Sequence, residues 1–415
     1  MIPKGWEQIR LAEATKKIGS GITPRGGEAA YKTSGYPLIR SQNVGWGRLL
    51  LENVSFIDIE QHDAMSGTKL KRGDVLLNIT GASIGRVATF EGEDRSANVN
   101  QHVCIIRSNG KLEPRFLEAY LLSEYGQKQV DQFQAGGNRQ GLNFKQVATF
   151  RLPLPPLPEQ KRIAEILSTW DRAIETTEKL IANSEAQKKA LMQQLVSGEM
   201  RFPEISAEPW NEQNLKDVAS IIVSNVDKKT VDDEQPVRLC NYMDVYANDV
   251  VHPDLPYMSA TATAAQVRKF GLRVGDVLIT KDSETPDDIA VPTYVERTAD
   301  DLVCGYHLAI VRPKKGVSGR FLKYFFENPR TQYYFASRAN GATRFGLTIG
   351  AIEDAPIQLP PLPEQEKIAS AIAGSEREAR VLASSLNALL TEKKALMQQL
   401  LTGKRRVKLP EKIHA

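Results

Sequence analysis

The residues that could do chemistry in this 415-residue chain lie in short polar runs. In the first half these are Arg40-Ser41-Gln42-Asn43, Thr80 with Ser83, Asn100-Gln101 and Asn138-Arg139-Gln140. In the second half they are Asn241-Tyr242, Lys281 with Ser283, Tyr306 and Thr343-Arg344. Arginine, lysine, asparagine, glutamine and serine on loops are the side chains that hydrogen-bond base edges and phosphates. The same types also fill ordinary solvated loops, so both readings stand at this point. His102 and His307 each head an apolar run, which suits a half-buried, hydrogen-bonded histidine as well as a ligand or base. Arg139 and Arg344 each stand two residues before a glycine, where they could contact phosphate or cap a turn.

Catalytic patterns are sparse. Gly81-Ala82-Ser83-Ile84-Gly85 matches G-x-S-x-G, but a nucleophile elbow must turn into a helix. The run that follows, Arg86-Val87-Ala88-Thr89-Phe90, reads as a strand, so a hairpin is expected. We find no Walker A loop, no H-E-x-x-H and no paired C-x-x-C, and we expect no catalytic residue and no metal. Cys104, Cys240 and Cys304 are distant in sequence and offer no metal spacing or disulfide framework, which suits a reducing compartment. These gaps favour a binding protein.

The polar runs must be positioned by a fold that is written twice. PPLPEQ occurs at 155–160 and 360–365, and KKALMQQL at 188–195 and 393–400, both 205 positions apart. A fainter match runs upstream: Gly73-Asp74-Val75-Leu76 with Gly275-Asp276-Val277-Leu278, His102 with His307, Arg115-Phe116-Leu117 with Arg320-Phe321-Leu322. The unit is a variable globular segment followed by a segment of fixed length.

The fixed segments read as helices that start at Pro158-Glu159-Gln160 and its copy, and end before Gly198 and Gly403. Each would have about 40 residues and a length of roughly 60 Å. Heptad rows mark their seams: Ile163, Leu167, Trp170, Ile174, Ile181, Leu191 and Leu195 in the first, with Ile368, Ile372, Leu382, Leu386, Leu389, Leu396 and Leu400 in the second. Polar Thr177, Ser184 and Lys188 interrupt the rows and should weaken them. Two such helices in one chain most simply form an intramolecular coiled coil with pseudo-two-fold symmetry; run antiparallel, they would hold the globular segments at opposite ends. The globular segments alternate short strands and turns with aromatic-rich helices near Phe116 and Phe321. We therefore expect an α+β fold: two mixed-sheet domains joined by two long helices in an antiparallel coiled coil. The expected boundaries are domain 1–152, arm 153–200, domain 201–357, arm 358–405 and basic tail 406–415.

Apolar residues make up 41% and charged residues 25%, as in soluble globular proteins, and the net charge of +4 permits a polyanionic partner without demanding one. The start of the chain lacks an apolar signal core, and no run approaches the roughly 20 apolar residues of a membrane helix, so a cytoplasmic protein is expected.

The order of blocks resembles the specificity subunit of Type I restriction-modification systems. The PLPEQ arm start and LMQQL near the arm's end, both present twice, carry the resemblance, and Tyr36-Pro37-Leu38-Ile39-Arg40-Ser41-x-Asn43 is similar to the opening of that family's target-recognition domain. The second copy, Val237-Arg238-Leu239-Cys240-Asn241, matches loosely. The resemblance implies a non-catalytic subunit whose two domains each read half of an asymmetric, bipartite double-stranded DNA target. It implies two modification (methyltransferase) subunits docked on the arms, restriction subunits joining them, and no cofactor in this chain. S-adenosylmethionine, ATP and Mg would belong to the partners. The other reading is a non-DNA scaffold carrying two binding modules on a coiled-coil spacer, and a third is a hydrolase built on Ser83.

Overall fold

The computed structural model describes residues 2–134, 141–202, 205 and 209–409. The chain divides into two compact units: Met1–Glu178 with Ser384–Ala415, and Lys179–Ala383. Each unit therefore holds one globular domain, one half of the first arm and the opposite half of the second.

In the first unit, four antiparallel strands lie in the order Thr15–Ser20, Val103–Ser108, Val75–Asn78, Val87–Thr89. Their alternation explains the burial on both faces. Val75, Leu77, Cys104 and Ile106 face a core with Phe116, Leu117 and Phe150. Leu76, Ala88, Val103 and Ile105 face a second core with Ile39 and Val99. Ile39 and Val99 belong to a three-stranded mixed sheet, Ser55–Ile57, Tyr36–Ile39, Asn98–Val99. The second unit repeats the plan. Val277, Ile279, Ala309 and Val311 face Phe321 and Phe326, while Leu278, Leu308 and Ile310 face Leu239, Cys240 and Val303. Its larger sheet has five strands, because Val250–Val251 adds in parallel to Pro292–Val295.

The repeated Gly-Asp turn before the central strand has a physical reason. Gly73 and Gly275 sit at φ +84° and +95°, where a Cβ is disfavoured. The next residue, Asp74 or Asp276, is fully buried and gripped by an arginine of the adjacent strand. Arg107 donates to Asp74 at 2.6 and 2.7 Å, and Arg312 to Asp276 at 2.8 and 2.7 Å.

The arms are helices Leu157–Val196 (40 residues) and Leu362–Leu400 (39 residues). Gly198 and Gly403 follow them at φ +75° and +68°, the left-handed cap expected from sequence. Within the first unit the start of one arm packs against the end of the other: Ile163 and Leu167 share a core with Leu400 and Leu401. Within the second unit Leu191 and Leu195 pack with Ile368 and Ile372. Both pairings are antiparallel. Every seam residue named above is buried or half-buried.

The polar seam positions do more than interrupt it. Ser184 is buried, and Lys188 donates to Glu376 of the other arm at 2.8 Å. Lys393 pairs with Asp171 in the same way in the first unit. Lys188 and Lys393 thus tie the helices through ions at positions where a heptad seam is ordinarily apolar.

PPLPEQ starts the helix and also docks it. Glu159 and Gln160, and their copies Glu364 and Gln365, are buried. Trp6 and Trp210 each donate an indole N–H to the glutamate, at 3.0 Å in both units. Arg406 and Arg201 grip the same carboxylates with two nitrogens each. Gln160 accepts from Glu113 N and donates to Lys111 O and Pro155 O; Gln365 does the same with Ser318 N, Gly316 O and Pro360 O. Arg406 thus gives the basic tail a structural role; 410–415 lie outside the described residues. Among the described residues no helix is long and apolar enough to cross a membrane.

Candidate nucleic-acid interface

The polar runs gather where strands of the two sheets end. In the first domain Asn100 N donates to Ile39 O at 3.1 Å, which brings the 40–43 and 100–102 loops together. Asn78 Nδ2 donates to Ser41 O at 2.7 Å and holds the first loop against the larger sheet. Asn43 is buried: it accepts from Arg40 N and donates to Leu50 O. Asn100 accepts from His102 N. Asn43 and Asn100 thus shape the loops, whereas Gln42 and Gln101 are exposed and Arg40, Ser41, Thr80 and Ser83 are half-buried. His102 Nδ1 lies 2.6 Å from Thr80 Oγ1, and Gln101 Nε2 lies 2.9 Å from His102 Nε2. Asn138, Arg139 and Gln140 lie outside the described residues.

Gly81–Ser83 is a single turn joining the antiparallel strands Val75–Asn78 and Val87–Thr89. Ser83 is therefore on a hairpin, and the elbow-to-helix geometry of a hydrolase is not built here.

In the second domain a cleft of about 730 Å³ collects Tyr242, Ser283 and Arg344 with Asp282, His307 and Phe345. Strand Asp282–Ser283 pairs antiparallel with Phe345–Gly346, so Arg344 arrives beside Ser283 through the backbone ladder. His307 Nδ1–H donates to Asp282 Oδ2 at 2.5 Å, and Lys281 donates to Asp282 Oδ1 at 2.7 Å. The Tyr306 ring packs on His307 with centroids 3.7 Å apart and the planes tilted by 40°. Asn241, Lys281, Tyr306 and Thr343 are outside the cleft lining. Sequence reasoning missed Met243, Tyr246 and Asp288, which share the lining; Tyr246 donates to Asp288 at 2.8 Å. The signal was available in the i, i+4 spacing of Tyr242 and Tyr246, whose rings stack at 5.8 Å. Burial first, and then Asp288 nearby, push the Tyr242 phenol up, so it stays a hydrogen-bond donor at neutral pH.

One carboxylate cluster lies elsewhere in the second unit. Asp249, Glu327 and Glu376 converge to within 4.8 Å. Lys323 Nζ, 2% exposed in its side chain, sits among them at 3.8, 2.8 and 2.9 Å. Lys188 adds a second cation. The charges are met by lysines, as in an ion-pair core.

The chain matches the model of the Type I restriction modification DNA specificity domain twice, over residues 3–185 and 207–381. It belongs to that family. It is 26% identical over 433 positions to a Methanocaldococcus jannaschii protein provisionally named the MjaX type I restriction enzyme specificity subunit, covering 98% of this chain and 95% of that one. It is 19% identical to the EcoKI specificity subunit of Escherichia coli K12, over 96% of this chain and 88% of that one. The S subunit of a Type I restriction-modification system from M. genitalium shares the fold, with a TM-score of 0.60, 12% identity and 96% coverage of both chains. A chain from a structure on assembly of the type I system shares it at a TM-score of 0.59 and 19% identity, over 98% of this chain and 100% of that one.

Proposed function

We propose that this chain reads a bipartite, asymmetric double-stranded DNA target, one half with each domain, and directs modification and restriction subunits to it. The observation that supports this most is the duplication itself. The same loops recur at the same strand ends in two domains, but the matched histidine meets a different partner in each, Thr80 for His102 and Asp282 for His307. Two readers with one geometry and two chemistries suit two unlike half-sites. The arms set the spacing of those half-sites and offer docking faces to two methyltransferase subunits; Leu180, Val381 and Leu390 leave apolar surface on them. Methyl transfer from S-adenosylmethionine and the ATP- and Mg-dependent steps belong to the partners.

A gel shift of the complex with its methyltransferase subunits should show binding to a methylation-site duplex that outcompetes a scrambled duplex by roughly 10³-fold or more. Affinity should fall steeply as salt rises from about 50 to 200 mM. Equal affinity for both duplexes would return the chain to the class of scaffolds.

A further inference from the structure

The two domains correspond through their parallel strand pairs. Ile39 faces Val99, and Cys240 faces Cys304; Val99 and Cys304 each stand three residues before the matched histidine. Asn100 N donates to Ile39 O at 3.1 Å, and Gly305 N to Cys240 O at 2.8 Å. The residue after each strand then has its N–H capped by the side chain three positions on: Arg40 N by Asn43 Oδ1 at 3.1 Å, Asn241 N by Asp244 Oδ2 at 2.7 Å. Arg40 and Asn241 therefore occupy one structural position, a correspondence hidden by the divergent sequences around them.

Both side chains are left unsatisfied. Arg40 Nε and Asn241 Oδ1 are buried atoms without a hydrogen-bond partner among the described residues. The contrast with the structural arginines is sharp. Arg107, Arg201, Arg238, Arg312 and Arg406 each grip one carboxylate with two nitrogens. Arg40 instead has its Cζ over the ring of Tyr31, 4.9 Å from the centroid, and no carboxylate among the described residues pairs with it. A cation held over an aromatic ring keeps its N–H donors free for another partner. Asn78, fully buried, holds the loop through Ser41 and has its own Oδ1 unpartnered.

We propose that Arg40, at this shared position of the first domain, reads a guanine in its half-site. The chemistry follows from the groove edges: a planar fork donates twice to guanine O6 and N7. Asn241 stands at the same position of the second domain with its carbonyl oxygen buried. The proposal rests on the DNA-reading function above and adds the base that the first domain selects at this position.

The test is selection of duplexes from a randomised pool by the chain in complex with its methyltransferase subunits. The intact complex returns two sequence blocks. Arg40→Ala removes the guanine preference at one position of one block, by roughly 10- to 100-fold, and leaves the other block unchanged. Arg40→Gln replaces guanine with adenine there. The unchanged block shows in each case that the variant is folded. Uniform weakening across all sequences, as for a phosphate contact, overturns the proposal, and so does an unaltered preference. If the intact complex selects no sequence, the DNA-reading function itself fails.

Discussion

Lys323→Ala should lower the melting temperature of the chain by roughly 10 °C. Lys323 is buried among Asp249, Glu327 and Glu376, and Tyr324 also donates to Glu376 at 2.9 Å. Removing one partner of a buried pair leaves charge uncompensated, which costs about 3–5 kcal/mol. For a unit of this size each kcal/mol moves the midpoint by about 2–4 °C. Lys323→Met should lose nearly as much, because volume is not the missing quantity. The pH dependence separates the ionic cause from packing. Burial alone would raise the Glu376 carboxyl, but Lys323 and Lys188 draw it down to about 2. Its contribution is present above the ordinary carboxyl range near 4.5 and is lost as pH falls towards 2. Calorimetry should show that acid-side loss in the native chain and a flatter one in Lys323→Ala. An identical acid profile in both would remove the network from the account. The first unit has Glu118 at the matching position, bound by Arg115 at 3.0 Å and by the Thr89 hydroxyl. Glu118 is thus held within its own domain, whereas Lys323 reaches the arm at Glu376.

Inserting one heptad into each arm, after Thr177 and after the equivalent Leu382, should lengthen the indifferent spacer of the DNA target by about three base pairs. Seven residues add roughly 10 Å of helix, and B-DNA rises about 3.4 Å per base pair. A whole heptad keeps the seam in register, so the buried ends of the arms are undisturbed. Mapping the methylated sites of the altered complex measures the spacer directly. An unchanged spacer would show that the arms are not the ruler.

Much of this architecture was legible because it obeys short-range rules. The duplicated PLPEQ and LMQQL blocks, the uninterrupted heptads and the glycine caps define the arms almost to the residue, since helix periodicity and capping are local. The central strands at Val75 and Val277 were visible as apolar runs after a Gly-Asp turn for the same reason. What remained hidden depends on distant partners. Glu159 and Glu364 read as first-turn acids, but each is buried beneath a tryptophan and an arginine. Lys188 read as a flaw in the seam because Glu376, its partner, lies 188 positions along the chain. Cys240 and Cys304, distant in sequence, face each other across parallel strands as free buried thiols. At the candidate interface, the loops were legible as polar runs. Which side chains shape the loop, such as Asn43 and Asn100, and which remain available, such as Arg40, depends on hydrogen bonds that no spacing rule reveals.

Sequencing of methylated adenines in the host, with this chain present and deleted, tests the central claim most directly. Two short constant blocks separated by a fixed run of indifferent bases, methylated only when the chain is present, is the expected result. A single block, or a methylation pattern that persists without the chain, would contradict it.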